Sequence, residues 1–512
     1  MNNIQSIMRS LVTYAICLPL AVFLGYVLTD PMQRSTFITM SLVLGLLAAP
    51  LLLKLHYPLM LLIWNTTVVA FFIPGRPQLW LAAIALSFGI SFTQRIMNKE
   101  VSMIHVPELT RPLILLGLVV VVTAEMRGGF GLRAYGGDVF GGKRYVYLLL
   151  AIVGYFALTA QRIPRERVKL YVALFFLGSA SCMIGDLYPI LGRSVPFIFW
   201  LVPAYTLSDD SVIVGISRLS GTTGASTAFF TYMMARYGIR GIFLEGRPLR
   251  LIMFLLLTIL GMYGGYRSVM ISFVGVFIVQ FFLEGLHHTK LLPTFILIGA
   301  VLGSLALPFA AKLPPTVQRT LAFLPVTIDP LVRRDAEASS EWRLRMWKAV
   351  LPQVPEYLLL GKGLAMTQAD MAFAEQFQSR VVSEDQIGSA LAGDYHSGPL
   401  SIVIPFGIWG LIAFVWFLAA GYKILLRNYR YGDPALKVVN GMLLASFIVK
   451  TFMFWVIVGG LYGDMLTFAG WLGLSVALNG GVARPSPAVV QPEPLTEGFT
   501  RVLPARRPAF GR

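Results

Sequence analysis

The stretch that decides the fold reads GDYHSGPLSIVIPFGIWGLIAFVWFLAA, residues 393–420. Its first four residues close the longest polar segment of the chain, and the remainder is an apolar run long enough to cross a bilayer as a helix. The polar segment, 312–396, is 85 residues long. The junction therefore places a titratable side chain, His396, at a predicted membrane–water boundary beside a folded loop. A protein that only spans a membrane needs no such loop, so we expect chemistry at the membrane surface.

The composition excludes a soluble protein. Hydrophobic residues make up 56% of the 512 residues and charged residues 13%, and the mean hydropathy is +0.71. A soluble fold of this size cannot bury that much apolar surface. We predict an all-α polytopic membrane protein with about 12–14 transmembrane helices and one large extracytoplasmic helical loop. The apolar runs that suit spanning helices are 11–29, 36–53, 57–73, 78–93, 112–126, 145–160, 168–185, 220–235, 250–265, 267–284, 290–311, 397–420, 436–458 and 462–479.

The same pattern predicts four regions along the chain. Residues 1–311 form an N-terminal transmembrane bundle, 312–396 an extracytoplasmic loop domain, and 397–479 the C-terminal transmembrane helices. The last region, 480–512, is rich in proline and arginine without helical periodicity, which predicts a disordered cytoplasmic tail.

Lysine and arginine in the short loops predict the orientation. Loops 161–169, 236–250 and 421–437 are the most basic, and the positive-inside rule makes them cytoplasmic. Segment 127–144 then lies outside although it is basic and glycine-rich, either as a solvated loop or as a cationic loop near an anionic substrate. The net charge of +17 is spread over such loops, so we expect no nucleic-acid partner.

One histidine stands out on the predicted outer surface. His56, His105, His287 and His288 fall in predicted cytoplasmic loops, and only His396 faces out. A neutral imidazole near pH 7 accepts a proton from a hydroxyl nucleophile. The alternative is a structural histidine that caps a helix or lies at the interface.

Two arginines lie near predicted outer ends of helices. Arg218 precedes one span, and Arg267 lies at the turn between two others. An arginine at membrane depth is costly unless it is paired or faces water, and guanidinium groups bind phosphate through bidentate hydrogen bonds. The two arginines suit a lipid-linked pyrophosphate, although snorkelling to the headgroups also accounts for them.

Residues 337–350 of the long loop predict an amphipathic helix near the membrane surface, because its apolar residues recur at helical spacing. Its cluster of Arg343 and Arg345 is a second candidate anion site, and 365–380 is predicted to form a further helix. The sequence contains no Walker A loop, His-Glu-x-x-His or Cys-x-x-Cys pattern, which favours metal-independent chemistry.

Together these features resemble the O-antigen ligase and O-antigen polymerase superfamily of bacterial envelope glycosyltransferases. The resemblance covers roughly 210–420. It rests on Arg218-Leu-Ser-Gly221, Gly265-Tyr-Arg-Ser268, Arg343-x-x-x-Trp347 with Gly361-x-Gly363, His396-Ser-Gly-Pro399 and Phe406-Gly407-x-x-Gly410.

The resemblance implies a glycosyltransferase of the bacterial inner membrane with its active face on the periplasmic side. It would move a glycan from undecaprenyl pyrophosphate to an acceptor hydroxyl, on another glycan or on lipid A–core, in lipopolysaccharide or exopolysaccharide biosynthesis. Arg218 and Arg267 would hold the pyrophosphate, with Arg343 or Arg345 adding to the cationic site. His396 would act as base or orient the acceptor, with inversion at the anomeric carbon. No cofactor, nucleotide or metal is then needed.

Other functions remain open at this point. Within the superfamily, a ligase and a polymerase account for the sequence almost equally well. A lipid-linked glycan flippase or transporter predicts charged residues inside spans, and Lys450 and Asp464 are the exceptions in otherwise uncharged runs. A peptidoglycan polymerase would depend on an outer acidic residue such as Asp394, and a membrane scaffold would need none of these residues.

Overall fold

The computed structural model describes residues 2–30, 33–98, 103–127, 130, 142–204, 218–365 and 395–485. Secondary structure in these residues is helical apart from one isolated bridge between Val69 and Gln78, so the all-α prediction is confirmed. Three predicted features fall wholly or mostly outside the described residues: the glycine-rich segment 127–144, the helix at 365–380 and the tail 480–512.

Among the described residues, the N-terminal half contains seven longer α-helices and three short ones. The longer helices are α1 (Asn2–Val27), α2 (Arg34–Leu47), α3 (Ala49–Ile63), α4 (Leu79–Met97), α5 (Pro107–Met126), α6 (Gly142–Leu158) and α7 (Val168–Leu177). The short helices are α8 (Met183–Asp186), α9 (Tyr188–Leu191) and α10 (Pro196–Leu201).

The second half follows after residue 217. It contains α11 (Ser220–Phe243), α12 (Pro248–Gly261), α13 (Arg267–Leu283), α14 (Leu291–Ala306), α15 (Pro315–Leu321), α16 (Pro330–Val350), α17 (Val354–Tyr357), α18 (Gly398–Tyr431), α19 (Lys437–Phe452) and α20 (Leu461–Asn479). Helices α15 to α17 lie in the predicted loop domain, and α16 contains the predicted amphipathic helix.

Six helical segments of the described chain are long and apolar enough to cross a bilayer, or seven if α2 and α3 form one broken span. Helices α2 and α3 meet at an angle of 94°, at the point where Pro50 begins a new helix. The predicted boundary between runs 36–53 and 57–73 is therefore displaced. The predicted 12–14 spans require the shorter apolar helices, such as α12, α13 and α14, to cross as well.

The basic loops predicted to share one side do lie at one end of the bundle. Arg165 of the first loop forms a salt bridge of 3.0 Å with Asp433 of the third. The second loop meets the α13–α14 turn there, because backbone N–H groups of Ile239 and Arg240 donate to the carboxylate of Glu284 at 2.8 and 3.0 Å. The other end, which we call the loop end, carries segments 64–78, 262–266, 312–365 and 395–397.

An aromatic core fixes the helices that reach the loop end. Phe414 of α18 packs against Phe454 and Phe468 with ring centroids 5.0 and 5.8 Å apart. These rings are almost fully buried. Close-packed interiors transmit small displacements, so this core sets the position of the α18 N-terminus, where the polar loop returns.

The location of one histidine corrects the sequence prediction. His56 was expected in a cytoplasmic loop, but it is buried within α3. Its Nδ1 lies 2.9 Å from the hydroxyl of Ser87 on α4. The prediction was wrong because α3 continues to Ile63, past the polar Lys54 that had marked the end of the run.

Candidate functional site

The N-terminus of α11 is built so that Arg218 emerges at the loop end. The carboxylate of Asp186 accepts hydrogen bonds from the backbone N–H groups of Gly221 and Thr222 at 3.1 and 2.5 Å. A carboxylate at this position satisfies orphan donors and suits the helix dipole. A side chain at Gly221 would collide with the carbonyl oxygen of Cys182. The Arg-Leu-Ser-Gly pattern thus begins a helix held against α8.

The two arginine-bearing segments predicted from sequence are in contact. The hydroxyl of Ser220 lies 2.7 Å from that of Tyr266, and the guanidinium of Arg218 lies over the Tyr266 ring, 5.7 Å from its centroid. Gly265 adopts a left-handed φ of +69° and turns the chain into α13. Arg267 is the first residue of that helix, so both arginines lie at helix N-termini at the same end.

Arg267 connects α13 to the amphipathic helix of the loop. Its Nη2 donates to the carbonyl oxygen of Ala336 at 3.2 Å and to the hydroxyl of Ser340 at 3.0 Å. The side chain is half-buried. Because a guanidinium has five N–H donors, these contacts position the group without using all of its donors.

A third arginine, which the sequence analysis missed, lies beneath the other two. Arg319 of α15 is only 5% exposed. Its Nη1 donates to the carbonyl oxygen of Gly265 at 2.7 Å, and its Nε donates to the carboxylate of Asp335. Burial lowers the pKa of Arg319; the charge of Arg218 lowers it further, Asp335 opposes the shift, and Arg267 adds to it. Arg218 and Arg267 are therefore close enough to Arg319 to disfavour its positive charge.

The three positive charges of this arginine cluster, defined as Arg218, Arg267 and Arg319, are only partly balanced by described residues. Asp335 forms its salt bridge with Arg319, and no described carboxylate lies within salt-bridge distance of Arg218 or Arg267. The Nε–H of Arg218 is buried and donates to no described residue. Burying an unsatisfied donor costs about 1–3 kcal/mol. An anion bound between the arginines would remove that cost.

His396 is held in an unusual backbone conformation just before α18. Its φ is +47°, a left-handed value that histidine adopts more readily than most residues. Its ring stands edge-on to Trp342, with centroids 5.5 Å apart, and the side chain is half-buried. The carbonyl oxygen of the preceding Tyr395 accepts a hydrogen bond of 2.8 Å from the indole of Trp347. Two tryptophans of α16 thus hold His396 in place: Trp342 packs against its ring, and Trp347 bonds the residue before it.

Helix α16 relates the arginine cluster to the histidine. Ser340, which bonds Arg267, and Trp347, which bonds the segment of His396, lie on one face because they are seven residues apart. Arg343 lies between them on the same strip and is half-buried. Arg345, two residues further, points to the opposite side and is exposed. Of the five predicted site residues, Arg267, Arg343 and His396 therefore lie on or against this face of α16, Arg218 lies against Tyr266 next to Arg267, and Arg345 lies on the other face.

A glycine of the sequence pattern, Gly407, lets the returning loop form hydrogen bonds with α18. Gly407 breaks α18 with a φ of +63°. The freed backbone groups bond the returning loop: Lys362 N–H donates to Ile404 O at 2.7 Å, and Ile408 N–H donates to Leu358 O at 2.6 Å. Irregular backbone in a membrane protein is tolerated where protein satisfies it. These contacts anchor the C-terminal side of the loop to the helix that follows His396.

The Arg319–Asp335 pair could not be predicted from a local pattern, because the two residues are 16 positions apart in the sequence. The pairing depends on the turn between α15 and α16, where the Asp329 side chain caps α16 by accepting from Leu331 N–H at 2.7 Å.

Comparison with known families gives one match. Residues 252–415 match the Wzy_C family model, described as O-Antigen ligase. The match contains Arg267, Arg319, Arg343 and His396 and begins after Arg218. No curated protein is significantly similar to the chain. This match, over about a third of the chain, supports the O-antigen ligase superfamily as the one that residues 252–415 resemble.

Proposed function

We propose that the protein transfers a glycan from undecaprenyl diphosphate to an acceptor hydroxyl, as an O-antigen ligase-like enzyme. The observation that carries the proposal is the arginine cluster at the start of α11 and α13. It presents three guanidinium groups, and a buried Nε–H of Arg218 that no described residue accepts from. A diphosphate has the charge and the oxygen acceptors to satisfy such a cluster.

In this proposal the arginines bind and stabilise the leaving group. Arg218, Arg267 and Arg343 contact the diphosphate, and the N-terminus of α13 adds its positive dipole end. Arg319 adds positive electrostatic potential to the site, and its hydrogen bond to the carbonyl oxygen of Gly265 holds that turn in place. As the bond between the anomeric carbon and the diphosphate oxygen breaks, the electron pair stays on that oxygen. Fixed cations stabilise the developing charge without reorganisation.

His396 acts on the acceptor. Its imidazole takes the hydroxyl proton as the acceptor oxygen bonds to the anomeric carbon. Trp342 and the Trp347–Tyr395 hydrogen bond hold the ring in place. Attack opposite the departing diphosphate inverts the anomeric configuration. The activated diphosphate supplies the driving force, so the reaction needs no nucleotide or metal.

The proposal places the loop end on the periplasmic face of the bacterial inner membrane, where lipid-linked glycans and their acceptors meet. The acceptor is lipid A–core or another glycan. The transporter alternative is less well supported, because the intramembrane charges it relies on are paired: Lys450 Nζ lies 2.5 Å from the Asp464 carboxylate.

A transfer assay tests this function. Purified protein in lipid would receive undecaprenyl-diphosphate-linked glycan and candidate acceptors, with products separated on a gel. We expect one discrete shift of the acceptor. A ladder of glycan lengths would instead identify a polymerase of the same superfamily. Consumption of neither substrate in any pairing would contradict glycosyl transfer.

A further inference from the structure

A second cationic cavity lies at the loop end, lined by none of the residues of the arginine cluster. Its volume is about 640 Å³, within the range of ligand pockets. It opens above the N-termini of α4 and α6 and is lined by Arg76, Gln78, Lys143, Tyr147 and Tyr462 among others. The two tyrosine rings pack with centroids 5.3 Å apart and form one wall.

The cavity has two cationic side chains, Lys143 and Arg76. Lys143 Nζ donates to the carbonyl oxygen of Gly75 at 3.0 Å and lies 5.6 Å from the Tyr147 ring centroid. An ammonium has three donors, so this anchored group retains donors for a ligand. Arg76 is exposed in a turn with a φ of +44°. None of the described residues that line the cavity is acidic. The cavity therefore suits an anion.

An apolar groove of about 970 Å³ runs between α3 and α4, and its lining residues are all different from those of the cationic cavity. Gln78 lines the cationic cavity and Leu79, its neighbour in sequence, lines the groove. The groove continues along one face of α4 through Leu86 to Met97. The 19 residues of α4 extend about 28 Å, close to the ~30 Å of a bilayer's hydrocarbon core. No lining residue of the groove is acidic or basic apart from the ring of His56.

We infer that these two cavities form a binding site for a lipid with an anionic phosphate headgroup. The phosphate lies between Arg76 and Lys143, and one hydrocarbon chain occupies the α3–α4 groove. The two cationic side chains favour an anionic headgroup by charge complementarity. The groove lies along α4, a helix long and apolar enough to span the membrane, so a hydrocarbon chain is the occupant that fits it. The site is separate from the arginine cluster, and the inference does not rest on glycosyl transfer.

The test is lipid binding to the delipidated full chain, followed by native mass spectrometry. Phosphatidylglycerol and phosphatidylcholine with identical chains would be titrated, and the affinity for the first bound lipid compared. We expect a preference for phosphatidylglycerol of about tenfold or more, since hydrogen bonds to charged groups are strong. The double variant Arg76→Gln/Lys143→Gln should abolish the preference. Lys54→Gln, an exposed cation of α3 that lines neither cavity, is the matched control and should keep it.

A second variant tests the groove independently of the headgroup. A Cβ at Gly89 would meet no atom within 4 Å, and Gly89 lines the groove, so Gly89→Leu should project into the groove and obstruct it. It should weaken the first binding of both lipids by about tenfold. Gly299→Leu, an equally open glycine on α14, should leave binding unchanged. An unchanged preference in the double variant, or wild-type binding in Gly89→Leu, would overturn the inference. Displacement of the lipid by glycerol 3-phosphate alone would also overturn it, because the site would then bind a soluble anion.

Discussion

Replacing Arg267 by glutamine should reduce transfer strongly without unfolding the protein. Two contacts of Nη2 attach the guanidinium to α16, so its remaining donors are the ones that face the proposed diphosphate. Loss of two charge-assisted hydrogen bonds at about 1.5–3 kcal/mol each removes about 3–6 kcal/mol. At about 1.4 kcal/mol for each tenfold in rate, kcat/KM should fall by about 10²–10⁴-fold.

Two further substitutions separate charge from geometry. Arg267→Lys keeps the charge but loses the planar fork, so kcat/KM should be intermediate between the wild type and Arg267→Gln. Arg345→Gln removes an exposed arginine on the opposite face of α16 and should retain wild-type kinetics. The assay is donor consumption by reconstituted protein at varied donor concentration. Wild-type kcat/KM in Arg267→Gln, or an equal loss in Arg345→Gln, would refute the assigned role of the cluster.

Two predictions concern the support of the site. Asp335→Ala leaves the buried guanidinium of Arg319 without its carboxylate and should destabilise the protein by about 3–5 kcal/mol, seen as a lower melting temperature. The double variant Arg319→Met/Asp335→Leu should recover most of the stability but not the transfer rate. Full recovery of both stability and transfer would show that the pair is only structural. Gly361→Ala should lower the melting temperature, because the φ of Gly361 is +68° and a side chain there would collide with the carbonyl oxygen of Pro405. Gly285 has a φ of +71° and open space around it, so Gly285→Ala should lose only the stability that the left-handed backbone conformation costs an alanine. Equal melting temperatures of the two variants would contradict the packing argument.

Apolar run length predicted most of the helices, because bilayer thickness sets the length of a spanning helix. The run 57–73 is an exception, since α3 covers Ala49–Ile63. Arg218 and Arg267 were placed near helix starts, and the structure finds them two residues before α11 and at the first residue of α13. The amphipathic helix was also predicted, since its apolar face has helical spacing that a sequence displays directly.

Contacts between distant segments were not predictable in the same way. The Arg319–Asp335 pair depends on how α15 and α16 pack, and the break of α18 at Gly407 depends on the loop that fills it. The grouping of Arg343 with Arg345 overlooked helix geometry, because side chains two residues apart point to different faces. His56 was misplaced because one lysine was taken to end an apolar run that the helix continues through.

The measurement that tests the central claim most directly compares donor binding and transfer in the same preparation of His396→Ala. The arginine cluster lies just before α11 and on α13 and α15, so the variant should bind undecaprenyl-diphosphate-linked glycan with wild-type affinity. Transfer to the acceptor should fall by about 10²–10⁴-fold, the usual contribution of a general base. Wild-type transfer would contradict the role of His396, and a parallel loss of donor binding would show that the histidine belongs to the diphosphate site instead.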